Sequence, residues 1–294
     1  MLFGRALLTF VLTHPMDLLH TIPLTTSPVL AEPRATYLVG VARATPDLPM
    51  DLSGFEPDHA VVLIGHGALV GIAIDLPLSY FAGEDAESRL SDVAWLSPRA
   101  AHHESILRHA MSLAPVMPVR FGTVFSSRDR LVALLESNHD VIAAFLSRVT
   151  HAQEWHVRLL LDRAAALDAH ASDLLRAAAG ASPGARYLLE KKIRQQASGS
   201  LAAALDDSAA AIVGHLRTLC LETRERRSSR AGSPREDGLE PLASTACLVA
   251  NDALAGLRQR TLELSEEFAP AGIRVQFTGP WPAYSFCPTL TEPT

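Results

Sequence analysis

The stretch Pro115–Phe125, with sequence PVMPVRFGTVF, constrains the fold more than any other part of the chain. Its apolar residues alternate with Pro118, Arg120 and Thr123, which is typical of a β-strand with one buried face. A proline cannot donate a hydrogen bond to a neighbouring strand, so the pattern predicts an edge strand or a bulged strand. Arg120 is the single charge in this stretch. Either a nearby carboxylate pairs with it, or it lies on a surface that another protein contacts.

The composition limits the possible classes of protein. A chain of 294 residues is long enough for one large or two medium domains with a full core. Aromatic residues make up 6% of the chain, while alanine and leucine are abundant, which favours helices over an all-β sandwich. The 26 basic and 32 acidic residues leave a net charge of −6. This balance argues against a general nucleic-acid-binding protein, which needs an excess of lysine and arginine.

The N-terminus has two interpretations. Met1–Arg5 followed by the apolar run Ala6–Leu12 has the outline of a signal peptide. The apolar run has the minimum length for such a segment, so we expect residues 1–33 to be a disordered leader or the product of a start codon placed too early. No other stretch is long and apolar enough to span a bilayer, and we expect no membrane association.

The first half of the chain predicts a small α+β sandwich with helices on one face of an antiparallel sheet. Thr36–Ala42 is a short apolar strand. Ala60–Ile64 and Leu69–Ile74, separated by a glycine-containing turn, predict a hairpin. Ser97 as N-cap and Pro98 at the first helical position predict the start of a helix, which the edge strand follows.

The second half predicts another α+β unit. Glu154–Leu161 is a strand, and we place the domain boundary before it, near Thr150. Long alanine-rich helices follow, and Arg224–Gly238 is charged and rich in serine, glycine and proline, as expected of a mobile loop. A further strand, helix and strand complete the pattern. The sequence therefore predicts two domains, over residues 34–150 and 151–294.

No motif predicts catalysis, a cofactor or a metal. The glycines at 65, 67 and 71 lead into a strand, whereas a dinucleotide-binding loop leads into a helix. His102, His103 and His109 lack the HExxH pattern and a third ligand, and His103 falls on the apolar stripe of its helix, which favours a buried, hydrogen-bonded side chain. The three scattered cysteines form neither a disulfide framework nor a zinc motif, and we interpret them as small apolar residues in a reducing cytoplasm.

The segment Gly279–Phe286, GPWPAYSF, concentrates two prolines and three aromatic residues. Prolines stiffen such a segment, and aromatic rings provide large contact areas. It either clamps onto the other domain or presents an aromatic patch to a partner. Together with the edge strand, it provides the candidate partner-contact residues Arg120, Phe121, Trp281, Tyr284 and Phe286.

Four motifs resemble those of the gas vesicle protein L/F family, and their order and spacing span the chain from about Thr36 to Phe286. PVRFGT and GPWPAYSF are individually specific. The motifs are Trp95-Leu96 followed by Ala101-His102-His103-Glu104; residues 115–123; Glu154-Trp155 with Pro183-Gly184-Ala185-Arg186-Tyr187-Leu188; and residues 279–286. The leader is longer, and the run Gly83–Asp92 shorter, than the family pattern.

The resemblance implies a modified ferredoxin-like N-terminal domain followed by a second α+β domain with long helices. It also implies a cytoplasmic, gas-vesicle-associated protein without catalysis, cofactor or metal. Its expected function is gas vesicle assembly through binding of the small hydrophobic shell protein and other accessory proteins, with no nucleic-acid partner. The alternatives are a minor structural component of the vesicle wall and, less favoured, a hydrolase with a dispersed active site.

Overall fold

The computed structural model describes residues 33–45, 48, 52–56, 58–81, 86–177, 183–226 and 238–291. Apart from residue 33, the predicted leader lies outside the described residues, as does most of the predicted loop Arg224–Gly238. The contacts divide the chain into two compact units. Residues 33–150 and 282–291 belong to the first unit, and His151–Trp281 forms the second.

The first unit is built on an antiparallel sheet. Its strands are β1 (Arg34–Arg43), β2 (Val61–His66), β3 (Leu69–Pro77), β4 (Val116–Pro118) and β5 (Val124–Phe125). The strand order is β2-β3-β1-β4, and β5 also pairs with β1. Read from the other edge, the order 4-1-3-2 is that of a ferredoxin-like sheet. The predicted hairpin is confirmed, with its turn at Gly67, where φ is 57°.

The stretch Pro115–Phe125 is an interrupted edge strand. Pro118 in β4 pairs with Gly40, and Val124 in β5 pairs with Tyr37, so β4 and β5 lie along the same side of β1. Between them the chain leaves the ladder and returns. The prediction of an edge or bulged strand is confirmed, and residues 119–123 form a projection that we call the Arg120 loop.

The helices of the first unit are α1 (Ala86–Ser91), α2 (Val93–Leu113), α3 (Arg128–Ser137) and α4 (His139–Val149). The predicted start of α2 at Ser97 is wrong. Asp92 caps the helix earlier, because its carboxylate accepts a hydrogen bond of 2.8 Å from the amide of Ala94. Pro98 consequently lies inside the helix.

Helices cover both faces of the sheet, rather than the single face predicted. On one face, Ile106 and Leu107 of α2 share a buried cluster with Tyr37 and Val39. On the other face, Leu131 of α3 lies against Leu38 and Gly71. The reason is that β1 is apolar on both sides, so every residue from its second to its ninth position is buried.

The second unit is another antiparallel sheet with helices. The strands are β6 (Ala152–Leu161), β7 (Glu222–Glu225), β8 (Glu240–Ala250) and β9 (Ile273–Trp281), in the order β7-β8-β6-β9. The helices are α5 (Arg163–Ala177), α6 (Pro183–Arg217) and α7 (Leu254–Phe268). Trp155, Val157 and Leu159 of β6 pack in one core with Ile212 of α6 and Leu257 of α7.

The α+β class is thus confirmed, with two antiparallel sheets. Within the described residues, the helices are too short or too polar to cross a bilayer. The C-terminal end differs from the predicted range 151–294, because residues 282–291 group with the first unit. We call these residues the closing segment.

Candidate functional site

The Arg120 loop is held by a buried histidine of α2. His103 is 0% exposed, and its Nε2 lies 3.1 Å from the carbonyl oxygen of Val119. A carbonyl can only accept, so Nε2 carries the proton, and Nδ1 accepts from the hydroxyl of Tyr37 at 2.9 Å. Burial lowers the pKa of His103 to about 4, against an opposing effect of the Val119 hydrogen bond. The imidazole is therefore neutral at physiological pH.

Tyr37 connects this histidine to the other end of the loop. Its hydroxyl accepts a hydrogen bond of 3.2 Å from the amide of Gly122 while donating to His103. Burial raises the pKa of Tyr37 above its ordinary value, so the hydroxyl keeps the proton that it donates. Val119 and Gly122 are thus fixed from inside the first unit by two side chains that are themselves buried.

The tip of the loop is closed by its own backbone. The amide and the hydroxyl of Thr123 donate to the carbonyl oxygen of Arg120, at 3.2 and 2.8 Å. Gly122 has a φ of 90°, which favours glycine at this position. The Arg120 residue is exposed, and in the described part of the chain no carboxylate forms a salt bridge with its guanidinium. The interpretation in which a carboxylate pairs with Arg120 is not supported by these residues.

Beside Arg120, the ring of Phe121 is half-buried in an aromatic cluster. Its centroid lies 6.0 Å from that of Tyr37 and 6.4 Å from that of Phe55. The guanidinium of Arg99 stacks 4.1 Å from the ring centroid of Trp95 and forms an ion pair with Glu56. Because its ring is half-buried and contacts Tyr37 and Phe55, Phe121 belongs both to the surface of the loop and to the aromatic cluster beneath it.

The space within this cluster is small. The cavity has a volume of about 20 Å³, which is room for roughly one water molecule, whereas small-molecule sites occupy roughly 300 Å³ or more. A larger open groove of about 560 Å³ lies between α6 and β8 in the second unit, and no histidine or cysteine lines it. The lining of the groove includes the hydroxyls of Ser244 and Thr245 and the carboxylates of Asp206 and Glu225.

The closing segment fastens to the first unit at three places. The hydroxyl of Tyr284 donates to Oε1 of Glu104 at 2.9 Å and lies 3.3 Å from Nε2 of His103. Phe286 is 1% exposed, and its carbonyl accepts from Arg148 at 2.8 Å. Burial, followed by the charge of Glu104, raises the pKa of Tyr284. The segment thus completes the hydrogen-bond network that supports the Arg120 loop.

The third attachment is a two-way amide pair. The side chain of Asn138, between α3 and α4, donates to the carbonyl of Thr291 at 2.9 Å and accepts from its amide at 2.8 Å. Asn138 is 4% exposed. Such a pair satisfies every polar atom it buries at the contact.

Trp281 belongs to the second unit, at the end of β9. It is 45% exposed, stacks on His156 with ring centroids 5.5 Å apart, and donates from Nε1 to Thr278 at 3.3 Å. His156 in turn lies 2.7 Å from the buried carboxylate of Glu154. The ring therefore has a defined orientation and one free face.

The five candidate contact residues thus separate into two kinds. Arg120 and Trp281 are exposed, and Phe121 is half-buried. Tyr284 is half-buried and donates a hydrogen bond to Glu104, and Phe286 is buried, with 1% of its surface exposed. The structure therefore corrects the assignment of Phe286, because an enclosed ring has no surface to offer a partner.

The histidines of α2 do not converge. His103 is buried as predicted, the Nε2 of His102 bonds the carbonyl of Ser53 at 2.9 Å, and His109 is exposed. Across the described ranges, no group of three histidine, cysteine or acidic side chains could hold a metal ion.

Reasoning from sequence did not identify Tyr37, Glu104 or Asn138 as supports of the site. In the sequence, Glu104 is distinguished only as part of the motif Ala101-His102-His103-Glu104. Tyr37 is 66 positions from His103, and Asn138 is 153 positions from Thr291. The one local signal is a tyrosine within an otherwise apolar strand, whose hydroxyl needs a partner when buried.

Together, the fold and the site define a class: a two-unit α+β protein with a rigidly supported surface loop. The fold is shared with a solved structure. The crystal structure of the gas vesicle protein GvpF from Anabaena sp. PCC7120 matches with a TM-score of 0.63 at 16% identity, covering 87% of this chain and 99% of that chain.

Two relatives identified by sequence are also gas vesicle proteins. Gas vesicle protein L of Streptomyces sp. (strain CB03234) is 27% identical over 246 residues, 81% of this chain and 86% of that protein. Gas vesicle protein F of the same strain is 24% identical over 259 residues, covering 86% and 99% respectively. The family model described as gas vesicle synthesis protein GvpL/GvpF matches residues 35–288. The chain belongs to the GvpL/GvpF family, which confirms the resemblance.

Proposed function

We propose that this protein is a gas vesicle accessory protein that acts in vesicle assembly by binding the small hydrophobic shell protein, and other accessory proteins, through the Arg120 loop. The observation that supports this proposal is the construction of the loop. Two buried side chains, His103 and Tyr37, fix its ends, while Arg120 remains exposed. A loop ordered in advance loses little conformational entropy when it binds.

The chemistry of the loop suits a polypeptide with an acidic group beside an apolar segment. Arg120 provides five donors in a planar fork that matches a carboxylate. Phe121, next along the chain, provides an apolar surface that rests on a rigid aromatic cluster. An aromatic residue and an arginine are the residue types that dominate the binding energy of protein interfaces.

Trp281 is a second proposed contact, in the other unit. Its ring is held on His156, so one face is ordered and accessible. A shell subunit with a strongly apolar face is prone to aggregation before it is incorporated, and a partner that covers such a face limits this. Binding of this kind requires shape and apolar area rather than a reaction centre, so we propose a non-enzymatic, cytoplasmic role without cofactor.

The test is co-purification with the shell protein. Tagged Arg120→Ala should recover roughly tenfold less shell protein than the natural sequence, because such an interface arginine contributes on the order of 1–2 kcal/mol. Arg130→Ala is the matched control, since Arg130 is also exposed and lies on α3 of the same unit. Equal loss in both variants, or recovery of neither the shell protein nor another vesicle protein by the natural sequence, would contradict the proposal.

Fractionation distinguishes the assembly role from the alternative of a minor wall component. An assembly factor is depleted when intact vesicles are floated and washed, whereas a wall component floats with them in constant ratio to the shell protein. We expect depletion.

A further inference from the structure

The strand β9 forms a long, open edge of the second sheet. It pairs with β6 on one side, and within the described residues no strand pairs with it on the other. Natural proteins usually protect such an edge, because its unpaired backbone groups can hydrogen-bond with a further strand. The nine residues of β9 are therefore a candidate pairing surface.

The other three sheet edges are interrupted, covered or short. In the first sheet, the Arg120 loop interrupts the edge formed by β4 and β5. At the opposite edge, the amide of Val61 at the start of β2 donates to the carbonyl of Leu52 at 2.9 Å. In the second sheet, β7 has only four residues. Of the edge strands that the structure describes, β9 is thus the longest.

The hydrogen bonds to β6 show which backbone groups of β9 face inward. The amide of Asp162 donates to the carbonyl of Gly272 at 2.8 Å, and hydrogen-bonded pairs recur at every second residue of an antiparallel ladder. Arg274, Gln276 and Thr278 therefore exchange hydrogen bonds with β6.

The residues between these direct their backbone groups outward. They are Ile273, Val275 and Phe277, and by the same alternation Gly279, after which Pro280 has no amide to offer. In the part of the chain that the structure describes, the amides and carbonyls of Ile273, Val275 and Phe277 have no hydrogen-bond partner. Arg274 and Gly279 are exposed, so the edge is open along its length.

The outward-facing residues are arranged symmetrically about Gln276. In an antiparallel pair of two β9 strands centred on Gln276, Ile273 lies opposite Gly279 of the second copy and Val275 opposite its Phe277. All four outward residues are then paired, and each pair can exchange two hydrogen bonds. A shift of the centre in either direction leaves at least one of the four without a partner.

The side chains also suit this register. On the face that the helices cover, Val275 and Phe277 form a cross-strand pair of a β-branched and an aromatic residue, which is a favourable combination. On the other face, Arg274 lies opposite Thr278 of the second copy. A pair centred on Arg274 would instead place two like charges directly opposite each other, which is unfavourable.

We propose that this protein forms a two-fold symmetric dimer in which β9 pairs with β9 of a second copy, centred on Gln276. The two four-stranded sheets then form one continuous sheet. A second copy is the occupant because the strand is complementary to itself in hydrogen bonds, in side-chain shape and in the placement of its charge. Such an interface is isologous, so assembly stops at two copies.

Analytical ultracentrifugation of the full chain should show a dimer that dissociates on dilution. Gln276→Glu and Gln276→Lys each place two like charges opposite each other, so each should weaken the dimer by roughly tenfold at low salt. An equimolar mixture of the two variants should recover the dimer, because opposite charges then meet. Gln259→Glu is the matched control, since it makes the same change at an exposed position of α7 and should leave dimerisation unchanged.

Hydrogen exchange tests the pairing in the natural sequence, so the test remains valid if a variant fails to fold. The amides of Val275 and Phe277 should exchange slowly at concentrations that favour the dimer and quickly on dilution. The amide of Gln276 is bonded to β6 and should stay protected at both concentrations.

Three outcomes would overturn the proposal: a monomer at every concentration, a dimer that both charged variants leave intact, or exchange at Val275 and Phe277 that does not depend on concentration. A monomer that binds an unrelated extended peptide along β9 counts as the first of these. Neither experiment measures shell-protein binding, so the result is independent of the proposed function.

Discussion

The side chain of His103 joins the carbonyl of Val119 at 3.1 Å to the hydroxyl of Tyr37 at 2.9 Å, on opposite sides of one buried ring. A protonated imidazole could not accept from Tyr37 and would carry an uncompensated charge in the core. The support of the Arg120 loop therefore depends on a neutral histidine.

The first prediction is a loss of stability in acid. The folded pKa of His103 is about 4, below the ordinary value of 6.5, so the unfolded chain binds more protons between these values. The contribution is fully present above pH 6.5 and is lost as the pH falls toward 4, by about 3 kcal/mol in the free energy of unfolding. Denaturant titrations at a series of pH values measure it.

His103→Gln isolates this effect, because an amide retains a donor and an acceptor but does not titrate. The variant should be less stable at pH 7 and should lose less stability between pH 6.5 and 4. An unchanged slope would show that other groups cause the acid dependence.

The second prediction concerns the attachment of the closing segment. Asn138→Ala should lower the free energy of unfolding by about 2 kcal/mol, because it removes the hydrogen bonds that this buried side chain makes with the amide and carbonyl of Thr291. Asp140→Ala, at a fully exposed neighbour, should change little. In a chain that ends at residue 288, Asn138→Ala should cost clearly less, and equal costs in both chains would contradict the assigned pairing.

The third prediction concerns Trp281. Trp281→Ala should reduce vesicle formation while changing the free energy of unfolding by about 1 kcal/mol or less, because the ring is 45% exposed. Leu262→Ala is the control, since Leu262 is a large apolar residue of the same unit that is 62% exposed. Vesicle yield and a melting curve should be measured together. A normal yield in Trp281→Ala would remove this residue from the proposed contacts.

The fourth prediction compares two glycines at opposite ends of α7. A methyl group on Gly272 would lie 2.6 Å from the amide nitrogen of Ala166, and its φ is 73°. Gly272→Ala should therefore destabilise the second unit by about 2 kcal/mol. Gly256 lies in the helix with open space around it, so Gly256→Ala should stabilise by about 0.5–1 kcal/mol. Thermal unfolding would reveal shifts of opposite sign.

The strands and helices were largely predictable because their patterns are local. Pro118 alone excluded a central strand, and the alternation around Val275 indicated β9. The start of α2 was not predictable, because Asp92 and Ser97 are both acceptable N-caps and only tertiary packing selects between them. The site was partly predictable: Arg120 and Trp281 stood out as a lone charge and a large ring, but their supports are distant in sequence.

The three aromatic residues between Trp281 and Phe286 show what the sequence pattern could not predict. Trp281, Tyr284 and Phe286 are indistinguishable in composition, yet one is exposed, one is hydrogen-bonded and one is enclosed. The different exposure of the three side chains depends on β9 ending at Trp281 and on which unit the following residues contact. Neither is encoded in the spacing of the aromatic residues.

The burial of Phe286 has a consequence during translation. The ribosome completes residues 33–150 well before it synthesises Phe286, so the closing-segment partners of Glu104, Asn138 and Arg148 are missing while the N-terminal half first folds. A fragment that ends at Thr150 lacks these partners permanently. The three attachments therefore form only after the closing segment has been synthesised.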